Sequence, residues 1–377
     1  MEEWKEYKLG EFATFKTGKL NSNAAVENGC YPFFTCSPET LRINDYAFEQ
    51  KAILLAGNNA EGNFNIKYYE GKFNAYQRTY VINPVDERLD IKFLYYALSI
   101  CLQSFKRISQ GTSTKFLTAQ ILNNFILNVP SLATQQKIAN ILSSLDDKIE
   151  VNRRINEQLE ELAGALFKSW FVDFEPFKDG EFVESELGMI PKGWKVGNLL
   201  DVATLYDSMR KPLSGRERDA MEKIYPYYGA TSIMDYVDKY IFDGIYLLMG
   251  EDGSVVDDKG FPILQYVWGK FWPNNHAHVM QGKNGFTTEM LHCLLSITNV
   301  KSVVTGAVQA KISQMGMKKI YIVIAPNELL EDFSMRIVPI YDKIRANSEE
   351  IHHLTTLRDT LLPKLMSGEI DVNEVGI

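Results

Sequence analysis

Hydrophobic positions along the 377-residue chain follow two alternating patterns. Over residues 1–130 and 188–326, short apolar runs such as Ala52–Ala56, Thr79–Ile82, Ile245–Met249 and Tyr321–Ile324 are punctuated by Gly, Pro and Asn. Runs of this length between such breakers predict strands, with short helices over Ile91–Ser104 and Thr288–Ile297. Over roughly 134–172 and 328–366 the period lengthens, and each stretch predicts one long helix. Ile138, Leu145, Asn152, Leu159 and Leu166 recur every seven residues, as do Phe333, Ile340, Asn347, Leu354 and Leu361, with the same polar exception. Ile141, Leu142, Ile149, Ile155 and Leu162, with Ile337, Ile344, Ile351 and Leu357, complete a coiled-coil-like seam. Glu150, Glu157, Glu160 and Glu161 fall on outer faces. A polar residue buried at a seam position sets register. Asn152 and Asn347, near the helix midpoints, are therefore expected to meet at the centre of an antiparallel pair. A helix of about 38 residues spans roughly 57 Å, enough for a strut between two domains.

The alternation is a duplication. Trp4-Lys5, Leu9 and Ala13-Thr14 match Trp194-Lys195, Leu199 and Ala203-Thr204 at a spacing of 190. Tyr31-Pro32-Phe33-Phe34 matches Tyr225-Pro226-Tyr227-Tyr228 at 194, and Ile53 to Asn59 matches Tyr246 to Asp252 at 193. Lys72-Phe73 pairs with Lys270-Phe271 at 198, and Gly111 with Gly306 at 195. An ordered series with a drifting offset means small loop insertions on a shared framework. The boundaries follow: a first domain over 1–130, helix and connector over 131–187, a second domain over 188–326, and helix with tail over 327–377.

Charge sharpens the division. The chain carries a net −8, but residues 1–130 hold 14 basic and 13 acidic residues and residues 191–326 hold 15 and 13. The acidity sits in 131–190 (6 and 12) and 327–377 (5 and 10), the helical segments. No apolar run approaches the ~18 residues of a membrane span, and the N-terminus lacks a signal peptide's regions. Cys30, Cys36, Cys101 and Cys293 form no CxxC pair, which argues against a zinc ribbon or a disulfide scaffold. A soluble, cytoplasmic protein without a membrane partner is expected.

Catalytic groups do not assemble. There is no GxxxxGK[ST] phosphate loop, no Asp/Asn-Pro-Pro-Tyr/Phe run and no glycine-rich S-adenosylmethionine loop. His276 and His278 share one face of an extended segment, but the sequence nominates no partner ligands, so they read as surface or loop histidines. Asp257-Asp258-Lys259 reads as a solvated turn. No metal or cofactor is expected in this chain.

Four stretches carry a family resemblance. They are Pro130-Ser131-Leu132-Ala133-Thr134-Gln135-Gln136-Lys137-Ile138, Trp170-Phe171-Val172-Asp173-Phe174-Glu175-Pro176, Gly188-Met189-Ile190-Pro191-Lys192-Gly193-Trp194, and Leu357 to Ile370 with Leu362-Pro363-Lys364-Leu365 and Ser367-Gly368-Glu369 inside it. With the duplication, they make the chain resemble, over essentially its full length, the specificity (S) subunits of type I restriction–modification systems. The resemblance implies an α+β fold of two pseudo-two-fold-related target-recognition domains, separated by two long antiparallel helices forming a coiled-coil-like spacer. Each domain would read one half of a bipartite, asymmetric sequence in double-stranded DNA. The helices would set the gap and dock two modification (M) subunits. In such complexes the M subunits bind S-adenosylmethionine and methylate adenine N6, while restriction (R) subunits use ATP and Mg. This chain would itself be non-catalytic. One departure is that the second helix is expected to stop near Pro363 and Gly368, where the first runs on to Trp170. A subunit serving a fused type II methyltransferase–nuclease, or a scaffold that binds no DNA, are the competing readings.

Base readout needs hydrogen-bonding side chains in the polar loops between framework matches. In the first domain the candidates are Arg42, Asn58, Asn59, Gln77, Arg78, Lys106, Arg107, Ser113, Thr114 and Lys115. In the second they are Thr231, Ser232, Glu251, Asp252, Asn274, Asn275, His276, Lys301, Gln309 and Lys311. Arg78 and Gln77 suit guanine and adenine, and Lys106 and Arg107 suit phosphate. Near-neutral domains make few phosphate contacts of their own, so partner subunits would complete the affinity.

Overall fold

The computed structural model describes residues 4–306 and 309–372. The chain divides into two compact units, Met1–Val151 with Glu350–Ile377, and Asn152–Glu349. The division falls inside both long helices, because each half-helix packs on the domain beside it. The sequence boundaries instead set the helices apart as segments of their own.

Unit 1 is built on a six-stranded sheet, in the order Ala13–Thr17, Thr79–Pro84, Phe48–Ala56, Ile66–Ala75, Tyr31–Phe34, Thr40–Ile43. All neighbours are antiparallel except Phe33-Phe34 against Asn74-Ala75. Strand periodicity divides the apolar run Ala52–Ala56 between two cores. Ile53 and Leu55 join Ile82, Phe93, Leu98, Ile138, Leu142 and Leu365 on one face. Ala52 and Leu54 join Phe34, Phe73 and Val81 on the other. The helix expected over Ile91–Ser104 is two helices, Ile91–Ile100 and Leu102–Ile108, broken at Cys101. Asp90 caps the first by accepting from the Phe93 amide.

Unit 2 repeats the plan with its sheet split in two. One sheet runs Ala203–Leu205, Ala277–Gly282, Tyr246–Gly250, Leu264–Val267; the other runs Ile233–Val237, Tyr225–Tyr228, Lys270–Pro273, Phe242–Asp243. The long Ile66–Ala75 strand of unit 1 is here two strands, separated at Trp268-Gly269, where Gly269 has φ +75. Leu247 and Met249 face the core with Phe171, Phe333 and Ile337, while Leu248 faces Phe242 and Phe271.

The long helices run Leu132–Phe171 and Asn327–Ser367, antiparallel to each other within each unit. In unit 1, Arg358 Nη1 donates to Asp146 Oδ1 at 2.6 Å, and that carboxylate's other oxygen accepts from Tyr96 at 2.6 Å. In unit 2, Phe167 and Phe171 meet Phe333 at centroid distances of 5.8 and 4.8 Å. The second helix continues through Pro363 rather than stopping there. Leu365 and Met366 are buried in the unit 1 core, and that burial offsets the hydrogen bond the proline removes. The end comes at Gly368, whose φ is +74. Leu162 and Leu357, expected in the seam, lie on the solvent side instead. Asn152 and Asn347 are both buried. Asn347 Nδ2 donates to Asn156 Oδ1 at 2.8 Å, and Asn156 Nδ2 to Ile344 O at 3.1 Å. Among the described residues, no helix is long and apolar enough to cross a membrane.

Candidate nucleic-acid interface

In each unit, one end of the central strands carries a short loop ladder. In unit 1, Asn58 and Asn59 pair with Phe116 and Lys115. The Leu117 amide donates to Gly57 O at 2.9 Å, and the Gly57 amide to Arg78 O at 2.8 Å. In unit 2, the Ile312 amide donates to Glu251 O at 2.9 Å, the Glu251 amide to His276 O at 2.8 Å, and Asp252 bridges Lys311. These bonds make Gly57 equivalent to Glu251, Asn58 to Asp252, Arg78 to His276 and Phe116 to Lys311. The sequence match had aligned Gly57 with Gly250, one residue out. A shift of one would exchange the two faces of the strand, and the core assignments of Leu247 and Met249 with Ile53 and Leu55 exclude it.

The loops close alike. Gly111 and Gly306 have φ of +102 and +93, and a Cβ there would lie 2.0 Å from Thr114 O and 2.1 Å from Gln309 O. Only glycine fits such a turn.

Unit 1 brings Asn58, Asn59, Arg78, Lys106 and Lys115 together. The Arg78 guanidinium lies over the Phe116 ring at 5.3 Å, and Lys106 Nζ donates to Asn63 Oδ1 at 2.7 Å. Both lysine stems flank Gly62. Asn58 Oδ1 accepts from Cys36 Sγ, and Asn59 Oδ1 from the amides of Glu61 and Asn63, which spends these acceptors on the loop itself. The exposed Gln77 donates to Asn21 Oδ1, and Arg107 holds Ser104. Ser113 is exposed and Thr114 half-buried beside Gly111. Arg42 sits apart, on the Thr40–Ile43 edge strand, where Nε donates to Gly29 O at 3.0 Å.

Unit 2 brings Glu251, Asp252, Asn275, His276 and Lys311 together, but largely as an ion network. Arg210 Nη1 donates to Glu251 Oε2 at 2.7 Å and to Ala277 O at 2.6 Å. Lys311 Nζ lies 3.1 Å from Glu251 Oε1, and His276 Nδ1 pairs closely with Asp252 Oδ1. Glu251 is therefore a half-buried structural carboxylate, since its oxygens are already paired. Asn274 is buried as well: its Oδ1 accepts from the His276 amide at 2.7 Å, and its Nδ2 lies 3.2 Å from Met234 Sδ. Thr231 and Ser232 form the exposed turn between Tyr225–Tyr228 and Ile233–Val237. Gln309 is exposed next to Lys311. Lys301 stands with the Asp257–Gly260 turn, where Asp257 Oδ1 accepts from the Lys259 and Phe261 amides as a solvated turn would.

His278 is the clearest departure from expectation. It is no loop histidine but fully buried, with Nδ1 2.6 Å from Asp207 Oδ2 and Nε2 2.7 Å from Ile312 O. Asp207 also accepts from the Val279 amide at 3.0 Å and Gln314 Nε2 at 2.7 Å. Burial by itself would raise the Asp207 carboxyl, but the hydrogen bond and charge of His278, with these further donors, hold it below its usual value. Asp207, Glu251 and His278 offer three ligand atoms within 4.8 Å of one another. Their donor set does not suit a metal: both ring nitrogens are engaged, and Arg210 and Lys311 already neutralise the carboxylates. Asp207 and Arg210 carry no repeat-equivalent signal in the sequence, and without them His278 reads as a loop residue.

A family model for the type I restriction modification DNA specificity domain matches residues 1–161 and 191–349. The chain belongs to this family. It is 34% identical to the type I restriction enzyme EcoDI specificity subunit of Escherichia coli over 56% of this chain and 51% of that one. It is 33% identical to the MjaIX specificity subunit of Methanocaldococcus jannaschii over 75% and 70%. It is 24% identical to the HindI specificity subunit of Haemophilus influenzae over 98% and 100%. The matched stretch thus spans about half the E. coli relative and all of the H. influenzae one. The crystal structure of a type I restriction–modification S subunit from M. genitalium shares the fold, with a TM-score of 0.64 at 19% identity over 97% of this chain and 96% of that one.

Proposed function

We propose that the chain is the sequence-specific DNA-recognition subunit of a type I restriction–modification assembly. Each unit reads one half of a bipartite target through its loop ladder, and the helices set the gap and dock two modification subunits. The observation that carries this is the duplicated ladder: one backbone frame, closed by Gly111 or Gly306, presents Asn58 and Arg78 in one unit and Asp252 and His276 in the other. Different half-sites require this combination of constant frame and divergent edge. Arg78, Lys106 and Lys115 are the base and phosphate contacts of unit 1; Asp252, His276, Gln309 and Lys311 are those of unit 2.

The chain supplies no chemistry in this reading. Adenine-N6 methylation belongs to the modification subunits with S-adenosylmethionine, and ATP- and Mg-dependent cleavage to restriction subunits. Co-expression with its modification subunit in a methylation-free host, followed by mapping of N6-methyladenine, tests the proposal. A bipartite motif that appears only with this chain supports it. No motif from a verified assembly would sink it in favour of a scaffold.

A further inference from the structure

Two backbone carbonyls at equivalent positions close the two recognition loops. In unit 1, Leu117 O accepts from the Tyr80 hydroxyl at 2.9 Å. In unit 2, Ile312 O accepts from His278 Nε2 at 2.7 Å. Tyr80 lies opposite Leu55 and His278 opposite Met249, so strand register makes them counterparts. The same mechanical task is done by a neutral phenol in one unit and by an imidazole in the other.

The imidazole has a second bond that the phenol cannot make. A carbonyl oxygen only accepts, and so does an ionised carboxylate. Ile312 O and Asp207 Oδ2 sit on opposite nitrogens of one ring, so both nitrogens must donate. The neighbouring charges are two carboxylates and two cations, so the two acceptors on the ring, rather than a net negative surround, call for both protons. Glu251 Oε2 lies 3.7 Å from Nδ1. Arg210, whose Nη2 lies 3.6 Å from Asp207 Oδ2, is turned toward the carboxylates. Gln314 donates to Asp207, and Lys311 is directed to the far oxygen of Glu251.

The anchor adds to the Ile312–Glu251 bond and the Asp252–Lys311 bridge that tie this loop to the strand end. The loop's own ladder is only Val304-Thr305 against Lys311-Ile312, too short to hold a register unaided. Its turn rests on Gly306; Gln309 is exposed on it, and the stem of Lys311 is exposed while its Nζ lies against Glu251.

We propose that His278 is a positioning residue: held as an imidazolium between Asp207 and Ile312 O, it sets the loop that presents Gln309 and Lys311 and thereby the second half-site. This rests on the DNA-recognition reading above, and it adds a residue that touches no DNA. Nothing outside the chain is required, since the bridge is made of two hydrogen bonds, one of them also an ion pair.

Two measurements test it. The first uses the full chain labelled with 15N at its five histidines, assigned with a His278→Gln variant, at neutral pH without DNA. Protonated-type shifts at both ring nitrogens of His278 support the imidazolium, and a neutral-tautomer pattern overturns it. The second measures binding of the chain with its modification subunit to duplexes altered in one half of the mapped target. For His278→Gln, discrimination in the unit 2 half should fall at least tenfold while the unit 1 half stays within twofold. Discrimination retained in both halves, or lost equally from both, overturns the positioning role. If the wild-type assembly shows no sequence preference, the recognition reading fails; the nitrogen spectrum still decides the imidazolium by itself.

Discussion

The two loop ladders share a backbone and differ in what surrounds it. Unit 1 closes its ladder with Tyr80, has Gly57 where unit 2 has Glu251, and leaves Arg78 on an aromatic ring at the surface. Unit 2 fills the same place with Asp207, Arg210, Glu251 and His278, whose side chains are 6%, 11%, 15% and 1% exposed. A neutral hydrogen bond is cheap to make and cheap to lose. A buried ion network is costly to desolvate, so it holds only while every partner is present. The difference teaches that a duplicated frame conserves where the loop is fastened and leaves the fastening chemistry free to diverge.

Removing one member of the charged network should have the largest effect. Asp207→Ala strands His278 without its carboxylate, while Arg210 keeps Glu251, and should cost unit 2 about 3–5 kcal/mol. Amide hydrogen exchange should show the loss in unit 2 alone; equal loss in unit 1 would contradict the division. Acid probes the same group without mutation. Because the Asp207 carboxyl is held below its ordinary value, its contribution is complete above the ordinary carboxylate range and disappears as pH falls through the depressed folded value. Unit 2 should therefore show an acid-labile loop that Asp207→Asn removes, measured by exchange across an acid titration.

The glycine turns come next. Gly111→Ala and Gly306→Ala each force a side chain onto a carbonyl oxygen, at about 1–3 kcal/mol of local strain. Each should impair only its own half-site in a binding assay with half-altered duplexes. A substitution that impaired both would mean that the loops are not independent readers.

Arg78→Ala and His276→Ala occupy equivalent positions and should relax opposite halves. Losing a bidentate contact at Arg78 corresponds to about 1–3 kcal/mol of discrimination, and unchanged methylation of both halves would remove Arg78 from the interface. The smallest effect is expected for Tyr80→Phe, which deletes one neutral bond to Leu117 O worth about 1 kcal/mol. A drop as large as that of Asp207→Ala, followed by thermal unfolding, would erase the contrast between the two fastenings.

The heptads of Ile138 and Phe333, the strands around Ile53 and Leu247, and the paired glycines at 111 and 306 were all legible in the sequence. Each is a local or periodic signal: a helix or strand exposes its period, and a turn with φ of +102 or +93 selects glycine. The duplication followed from those signals, and the family resemblance from contiguous stretches such as Trp170 to Pro176 and Gly188 to Trp194. Tertiary structure alone decided the one-residue register that pairs Asn58 with Asp252, because faces become distinguishable only when a core lies on one side. It also carried the second helix through Pro363, since burial of Leu365 and Met366 outweighs a local breaker. And it turned His278 from an apparent loop residue into a buried bridge, because Asp207 and Ile312, far away along the chain, arrive at its two nitrogens only when the sheet has formed.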